Sequence, residues 1–205
     1  MSLRAHVQNA LRQQSARQYD SASDTDYGQL YRSRLMSYRR ALTSSVTLDK
    51  PTNIFRARAL GYKAKPGIIV VRMRIRRGGG LVLRPNRGRK PKRMGVNKIT
   101  RRKNIQAMAE ERAARGHPNM EVLNSYWVAQ DGRHKFFEVI LVDPHNPSIR
   151  ADKDLNWIAM PQHTKRVFRG KTSAARKSRG LRKPAGRRGT EKVRPSQRAH
   201  NRKAK

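Results

Sequence analysis

The chain has 205 residues and a formal net charge of +36, carried by 49 basic and 13 acidic side chains, so it repels itself unless a polyanion neutralises it. The absence of cysteine excludes disulfides, thiolate zinc sites and cysteine nucleophiles, and it suits a reducing cytoplasm. The longest strongly apolar run, residues 68–71, falls far short of the roughly 20 residues that a membrane-spanning helix needs, so no membrane partner is expected.

The charge divides the chain into four segments. Residues 1–49 carry seven basic and four acidic side chains, residues 50–109 carry 19 and none, residues 110–164 carry six and eight, and residues 165–205 carry 17 and one. The third segment therefore has the composition of an ordinary globular protein between two strongly basic ones. We predict N-terminal helices, a basic strand-and-loop region, a globular core and a basic C-terminal extension, in that order.

The N-terminal segment predicts two helices. A first apolar stripe recurs at four-residue spacing, at Leu3, Val7 and Leu11. A second stripe follows helical periodicity after the turn SASDTD, at Tyr27, Leu30, Tyr31, Leu35 and Tyr38. Asp24 or Asp26 is the candidate N-cap of this second helix. Both stripes indicate packing against a neighbouring element.

The stretch GIIVVRMRIRR, residues 67–77, predicts a strand with one apolar face and one face of arginines. Apolar residues at 71, 73 and 75 alternate with Arg72, Arg74 and Arg76, and successive side chains of a strand point to opposite faces. Arginines on one face lie about 7 Å apart, close to the phosphate spacing of a nucleic acid strand. A solvated polar face is the alternative. We favour phosphate binding, because residues 50–109 lack the acidic side chains that solvated faces usually include.

Two stretches have a composition that excludes regular secondary structure or limits it to a short helix. RPNRGRKPKR, residues 84–93, is interrupted by proline and glycine, and the C-terminal extension has the same character apart from a short helix predicted over residues 173–179. Flexible tails and segments that fold on a polyanion are the two interpretations. We expect RGKTSAARKSRG, residues 169–180, to be ordered only where phosphates surround it.

The third segment predicts a helix followed by a hairpin. Residues 104–115 place Ile105, Met108, Ala109 and Arg112 on one helical face, with Asn104 or Thr100 as N-cap and Gly116 and Pro118 at the end. Asp131-Gly132 then separates two β-rich runs, residues 122–129 and 135–142, which is a strong hairpin signal. We expect Trp127 to pack in the core, and stacking on a base is the alternative.

No arrangement of side chains predicts catalysis, a cofactor or a metal site. Glu110 and Glu111 lie beside Arg112 and Arg115, which favours an ion-paired helix surface over acid–base chemistry. The tripeptide GKT lacks the spacing of a phosphate-binding loop, and the six histidines lack ligand spacing. We therefore expect no enzyme, no cofactor and no small-molecule substrate.

Several long motifs carry a family resemblance that extends in order over most of the chain. GYKAKPGIIVVR, RRKNIQAMAEERAAR, VLNSYWV, FFEVILVDP and RGKTSAARKSRGL resemble the large-subunit ribosomal protein family numbered fifteen in the archaeal and eukaryotic ("e") scheme. GVNKITRRKNIQ, DGRHKFFEVILVDPHNP and GTEKVRPS resemble its archaeal members more closely. The resemblance implies a small α+β body with long basic extensions ordered by RNA. It also implies a cytoplasmic structural role in the large ribosomal subunit, with large-subunit rRNA and neighbouring ribosomal proteins as partners.

The candidate rRNA contacts come from the family pattern and from the basic loops. Positions matching the family's basic pattern are Tyr62, Lys63, Lys65, Arg72, Arg74, Arg76, Arg77, Arg101, Arg102, Lys103, Arg176, Lys177 and Arg179. The basic loop adds Arg84, Arg87, Arg89, Lys90, Lys92 and Arg93, and the C-terminal extension adds Arg169, Lys171 and Arg182. A chromatin-like DNA-binding protein is the main alternative, since binding to a phosphate backbone alone does not separate RNA from DNA. A nucleic-acid-processing enzyme that uses Glu110, Glu111 or Asp143 is the weakest alternative.

Overall fold

A computed structural model describes residues 5, 6, 9, 27–80, 82–96, 101–179 and 181 of the chain. The α-helices are α1 (Tyr27–Arg40), α2 (Ile54–Ala59), α3 (Ile105–Gly116), α4 (Pro147–Arg150) and α5 (Ser173–Ser178). The strands are β1 (Ser45–Leu48), β2 (Ile68–Arg76), β3 (Glu121–Gln130) and β4 (His134–Val142). Short 3₁₀ turns lie at Pro91–Arg93, Asn156–Ala159 and Pro161–His163. Within these residues no helix is both long enough and apolar enough to cross a lipid bilayer.

The four strands form one antiparallel sheet in the order β1-β2-β4-β3. The turn between Gln130 and His134 closes the predicted hairpin, and the Asp131 side chain fixes it by accepting hydrogen bonds from the backbone N–H groups of Arg133 and His134. Long β2 pairs along its whole length with β4, which places the arginine-bearing strand inside the sheet. The predicted α+β fold class and the hairpin are confirmed.

Each face of the sheet is covered by helices. On one face, Val71, Met73 and Ile75 of β2 pack with the alanines of α3 and with Phe137 of β4 in the largest buried cluster. On the other face, α2, α4 and the turn Asn156–Ala159 cover the start of β2, and α1 covers its later part. The apolar face predicted for β2 is confirmed, because strand periodicity alone decides which side chains share a face.

Helix α1 buries only part of the predicted apolar stripe, because Leu30 is 41% exposed. Tyr38 is buried against Ala129 and Phe136 of the hairpin, and Tyr31 and Leu35 are partly buried in the same cluster. The hydroxyl of Tyr31 also reaches the backbone of Gln130, at 3.2 Å from its nitrogen and 3.3 Å from its carbonyl oxygen. The candidate caps Asp24 and Asp26 and the stripe Leu3, Val7 and Leu11 lie outside the described residues.

Three expectations for the globular core need correction. Trp127 is not in the core, because 40% of its surface is exposed. Glu110 is not on a helix surface, because it is fully buried, whereas Glu111, although only 8% exposed, forms the expected ion pair with Arg115 at 3.7 Å. The buried face of α3 is formed mainly by its alanines and these two glutamates, while Arg112 of the predicted stripe is exposed. The helix itself begins after the predicted N-cap, Asn104.

Candidate nucleic-acid interface

The arginines of β2 do not form one exposed row. The Arg72 guanidinium lies 3.9 Å from the centroid of the Tyr38 ring in α1. The Nη1 of Arg74 donates hydrogen bonds to the carbonyl oxygens of Arg39 and Ala41, at 3.1 and 3.0 Å. Since the last carbonyls of a helix have no partner within it, Arg74 caps the C-terminal end of α1. Arg76, at the end of the strand, is exposed.

The segment before α3 is fastened to the end of β2 by Arg101. The Nε of Arg101 donates to the carbonyl oxygen of Gly78 at 2.8 Å, and its Nη2 donates to the carbonyl oxygen of Arg76 at 3.3 Å. The neighbouring Arg77 donates through Nη1 to the carbonyl oxygen of Asp131 at 2.6 Å. Arg101 therefore holds the segment that contains exposed Arg102 close to the end of β2.

Asn104 connects α3 to the short basic helix α5. Its Oδ1 accepts from the N–H of Ala107 at 2.6 Å, which caps α3, and its Nδ2 donates to the carbonyl oxygen of Ala174 at 2.9 Å. Its backbone N–H donates to the Ser178 hydroxyl at 2.9 Å. Ala107 packs on Ala174 and Ala175, so the two helices meet through small side chains. This packing leaves Arg176 and Lys177 exposed on the outer side of α5.

These contacts bring basic residues from three distant parts of the sequence to one end of the sheet. We call this surface the basic end, and its members are Arg76, Arg77, Arg102, Lys103, Arg176 and Lys177, all of which are exposed. Lys103 also forms an ion pair with Glu111, with 2.6 Å between Nζ and Oε1. The structure thus differs from the expectation that residues 169–180 are ordered only among phosphates, since protein contacts hold α5.

Buried Glu110 fixes the start of α5. Its two carboxylate oxygens accept hydrogen bonds from the hydroxyls of Ser125 and Thr172, each at 2.5 Å. Thr172 is also the N-cap of α5, accepting from the N–H of Ala175. Burial raises the pKa of Glu110 above its ordinary value, while the two hydroxyls and the charge of Arg166 act in the opposite direction. One internal carboxylate thus joins α3, β3 and α5.

Other carboxylates are also turned inward. Glu138 of β4 is fully buried and accepts hydrogen bonds from the Tyr126 hydroxyl and from both the N–H and the hydroxyl of Thr52. Arg166 is buried as well, and its Nη1 donates to the carbonyl oxygens of Val122 and Leu123 on the outer edge of β3. Sequence reasoning missed both buried groups, because Thr52 lies 86 residues from Glu138 and the carbonyl partners of Arg166 lie 43 and 44 residues from it.

The lysines of the GYKAK motif lie at the other end of β2 and have acidic partners. Lys63 Nζ is 2.8 Å from Oδ1 of Asp152 and 2.7 Å from Oδ2 of Asp154, and Lys65 Nζ is 2.5 Å from Asp152. The hydrogen bond from Lys63, and after it the one from Lys65, hold the pKa of Asp152 well below its usual range. The nine residues of β2 span about 27 Å, so this cluster is well separated from the basic end.

The remaining candidate contacts have varied surroundings. The side chains of the basic loop are exposed, at Arg84, Arg87, Arg89, Lys90, Lys92 and Arg93. Tyr62 packs partly against the apolar cluster of α2 and α4. Arg169 and Lys171 both donate to the carbonyl oxygen of Gln162, and buried Arg179 donates to the carbonyl oxygen of Gly170 at 3.1 Å. Arg182 lies outside the described residues. In the part of the chain that is described, no group of three or more His, Asp or Glu side chains could hold a metal ion.

The fold and its surface define a strongly basic α+β protein, in which exposed cations from distant parts of the sequence meet at one end of the sheet and six more lie in one loop. Residues 11–200 match the family described as Ribosomal L15, in its "e" type, and the chain belongs to this family. The resemblance carried by the sequence motifs is confirmed.

Two archaeal relatives are similar to the chain over most of its length. The Large ribosomal subunit protein eL15 of Methanocella arvoryzae is 54% identical over 187 residues, which cover 91% of this chain and 94% of the relative. The protein of the same name from Methanospirillum hungatei is 57% identical over 182 residues, which cover 89% of this chain and 91% of the relative. Both agree with the archaeal character of the motifs.

Proposed function

We propose that the protein binds large-subunit rRNA through the basic end and the basic loop, and that it contacts neighbouring ribosomal proteins in the assembled particle. Its family membership makes it a structural, non-enzymatic constituent of the large ribosomal subunit, and hence of the cytoplasm. The finer proposal concerns which side chains meet the RNA and which hold the fold.

The observation that carries the proposal is the position of α5. Its apolar side is held by Ala107 and Asn104, and its Arg176 and Lys177 are exposed beside the segment that contains Arg102. Guanidinium and ammonium groups that stand close together on a fixed support suit a phosphate backbone, because each neutralised phosphate releases counterions.

The internal carboxylates strengthen the electrostatic argument. Glu110 and Glu138 are fully buried, and Asp152 is nearly so. A carboxylate near an RNA surface repels phosphate, and burial with internal partners removes that repulsion from the exterior. The chain therefore presents to a polyanion a more uniformly positive surface than its composition indicates.

The same contacts divide the candidate residues into two groups. We assign phosphate contact to the six members of the basic end and to the loop cations Arg84, Arg87, Arg89, Lys90, Lys92 and Arg93. We assign a supporting role to side chains that are buried or only partly exposed and whose charged groups are engaged within the protein, namely Lys63, Lys65, Arg72, Arg74, Arg101 and Arg179.

Salt dependence of rRNA binding tests this division. The double variant R176Q/K177Q and the matched control K63Q/K65Q both lose two charges. A plot of log affinity for an rRNA fragment against log salt should flatten by about 0.7–0.9 per lost phosphate contact in the first variant. The control should keep the wild-type slope. Equal flattening in both variants would show that only net charge matters and would remove the assignment to the basic end.

Competition with duplex DNA separates rRNA binding from the chromatin-like alternative. At matched salt and phosphate concentration, folded rRNA should displace the protein from duplex DNA, because irregular RNA offers close phosphates and unpaired bases that a uniform duplex lacks. Equal competition by the two nucleic acids would favour a DNA-binding or compacting protein.

A further inference from the structure

The indole of Trp127 is an aromatic surface that the core does not use. The side chain lies on β3, opposite buried Phe137 on β4, and 40% of its surface is exposed. Phe137 belongs to the cluster that packs under α3, so Trp127 lies on the same face of the sheet as α3. Trp127 therefore stands beside a buried phenylalanine on the same face, and the exposed part of its indole suits stacking on a flat partner.

The position of Trp127 is next to the basic end. Ser125 lies two residues earlier on the same face, and it shares the Glu110 carboxylate with Thr172, the N-cap of α5. Helix α5 runs from there to Ser178, which contacts the N-terminus of α3 at the basic end. Trp127 is therefore about 7 Å along β3 from Ser125, the residue that shares Glu110 with the N-cap of α5, and it lies toward the basic end of the sheet.

The free edge of β3 offers little to a partner strand. The carbonyls of Val122 and Leu123 accept from Arg166, the Ser125 carbonyl accepts from Gln106, and Gln130 is bonded to Tyr31. A protein that docks by adding a strand needs a row of unbonded main-chain groups. What Trp127 offers is an aromatic side chain, and the exposed charges on α5, those of Arg176 and Lys177, are positive.

We propose that Trp127 stacks on an unpaired base of the RNA while Arg176 and Lys177 bind the phosphates beside that base. The inference rests on the proposed rRNA binding and adds a base contact to it. Single-stranded segments are bound in this way elsewhere, through an aromatic platform beside a basic groove, and stacking tolerates any base because each has a π face. Positive neighbours select an RNA loop as the occupant over an apolar protein surface.

The experiment compares the full-length protein with its W127L and W127F variants, using two 12-nucleotide probes. One probe is oligoadenylate, and the other has the same sugar–phosphate backbone without bases. Wild-type protein should prefer oligoadenylate, and W127L should lose roughly five- to a hundredfold in affinity for it. The affinity of W127L for the abasic probe should not change. W127F, which keeps an aromatic ring, should retain most of the preference.

Tryptophan emission gives a second readout, because the chain contains only two tryptophans. Oligoadenylate should quench the emission of the wild-type protein, whereas W127L, which emits from Trp157 alone, should show little change. A W127L variant that binds both probes like the wild type overturns the stacking proposal. If W127L binds both probes like the wild type and yet fails to enter large subunits, the indole contacts a protein rather than RNA. That result likewise overturns the stacking proposal.

The two proposals fail separately. If the wild-type protein did not bind rRNA, or bound it with an affinity that does not depend on salt, the proposed function itself would be wrong. Unchanged probe preference in W127L together with a flattened slope in R176Q/K177Q would leave phosphate binding in place and remove only the base contact. Circular dichroism of each variant confirms that the fold is intact before affinities are compared.

Discussion

The guanidinium of Arg72 lies over a side chain of helix α1, with its central carbon 3.9 Å from the centroid of the Tyr38 ring. The Tyr38 ring lies in turn 5.6 Å from the ring of Phe136 on β4. A cation over an aromatic face is attracted by the ring quadrupole, and the attraction grows as water is excluded. A residue that the sequence assigns to phosphate thus forms part of the joint between α1 and the sheet.

Removal of the Arg72 guanidinium should weaken the fold more than the RNA contact. R72Q is expected to lower the free energy of unfolding by about 1 kcal/mol, the usual size of a partly desolvated cation–π pair. R76Q, at an exposed position on the same strand, should change stability by less than about 0.5 kcal/mol and flatten the salt dependence of rRNA binding. Urea unfolding and RNA titration measure the two effects. A flattened slope in R72Q would place Arg72 on the RNA.

Asn104 should contribute more to stability than an ordinary N-cap. Asn53 caps α2 by accepting from the N–H of Arg56 at 2.9 Å, so N53A should cost about 1 kcal/mol. Asn104 caps α3 and also donates to the carbonyl of Ala174, so N104A should cost about 2 kcal/mol. Hydrogen exchange of the α5 amides should accelerate in N104A alone. Equal exchange in both variants would mean that the side-chain link does not hold α5.

Glu110 should make the stability of the protein depend on pH in an uncommon direction for a carboxylate. Because burial raises the pKa of Glu110, the folded chain binds this proton more readily than the unfolded chain. Its contribution is fully present below the ordinary value of about 4.3 and is lost as pH rises through the raised pKa. E110Q keeps polar atoms for both hydroxyls but cannot ionise, so it should gain stability relative to the wild type as pH rises towards 7. Parallel urea-unfolding profiles of the two proteins would contradict this.

Asp152 should act in the opposite sense. Its pKa is lowered by hydrogen bonds from Lys63 and Lys65, so its contribution is present above the ordinary value of about 3.9 and is lost as pH falls further. The stability advantage of the wild type over D152N should therefore shrink below about pH 4. D154N is the matched control, because Asp154 is 76% exposed and, among the residues that the structure describes, its carboxylate pairs only with Lys63. A D154N effect as large as that of D152N would show that the two carboxylates are equivalent.

Local patterns in the sequence predict the elements of this fold well. The alternation in β2, the Asp131-Gly132 turn, the second N-terminal helix and the Asn104 cap each depend on a few adjacent residues, and the structure contains all of them. Such features follow from the geometry of the strand, turn or helix itself. The apolar face of β2 is predicted correctly because it depends only on the alternation of residues within the strand. The contacts of α1 with the arginine face are not predicted, because they join residues that are far apart in the chain.

The corrected expectations all depend on contacts between distant residues. Thr172 is 62 residues from Glu110, and Lys63 is 89 residues from Asp152, so no local pattern signals either pairing. Trp127 resembles a core residue by composition, but the pairing of β3 with β4 is irregular between Trp127 and Ala129, and the indole is left at the surface. A buried carboxylate with distant hydroxyl partners is indistinguishable, in sequence, from an exposed one.

The attachment of α5 to α3 affects the affinity that a segment rich in small and basic residues can reach for its partner. Fixing the backbone of one residue costs about 1–2 kcal/mol in conformational entropy, and a segment that orders only on contact loses that free energy from its affinity. Helix α5 is ordered by alanine packing and by Asn104, so folding of the body has already met this cost. Under the proposed contact of Arg176 and Lys177 with phosphate, the rigidity of this short helix, set by residues that need touch no RNA, contributes to how tightly the particle holds this protein.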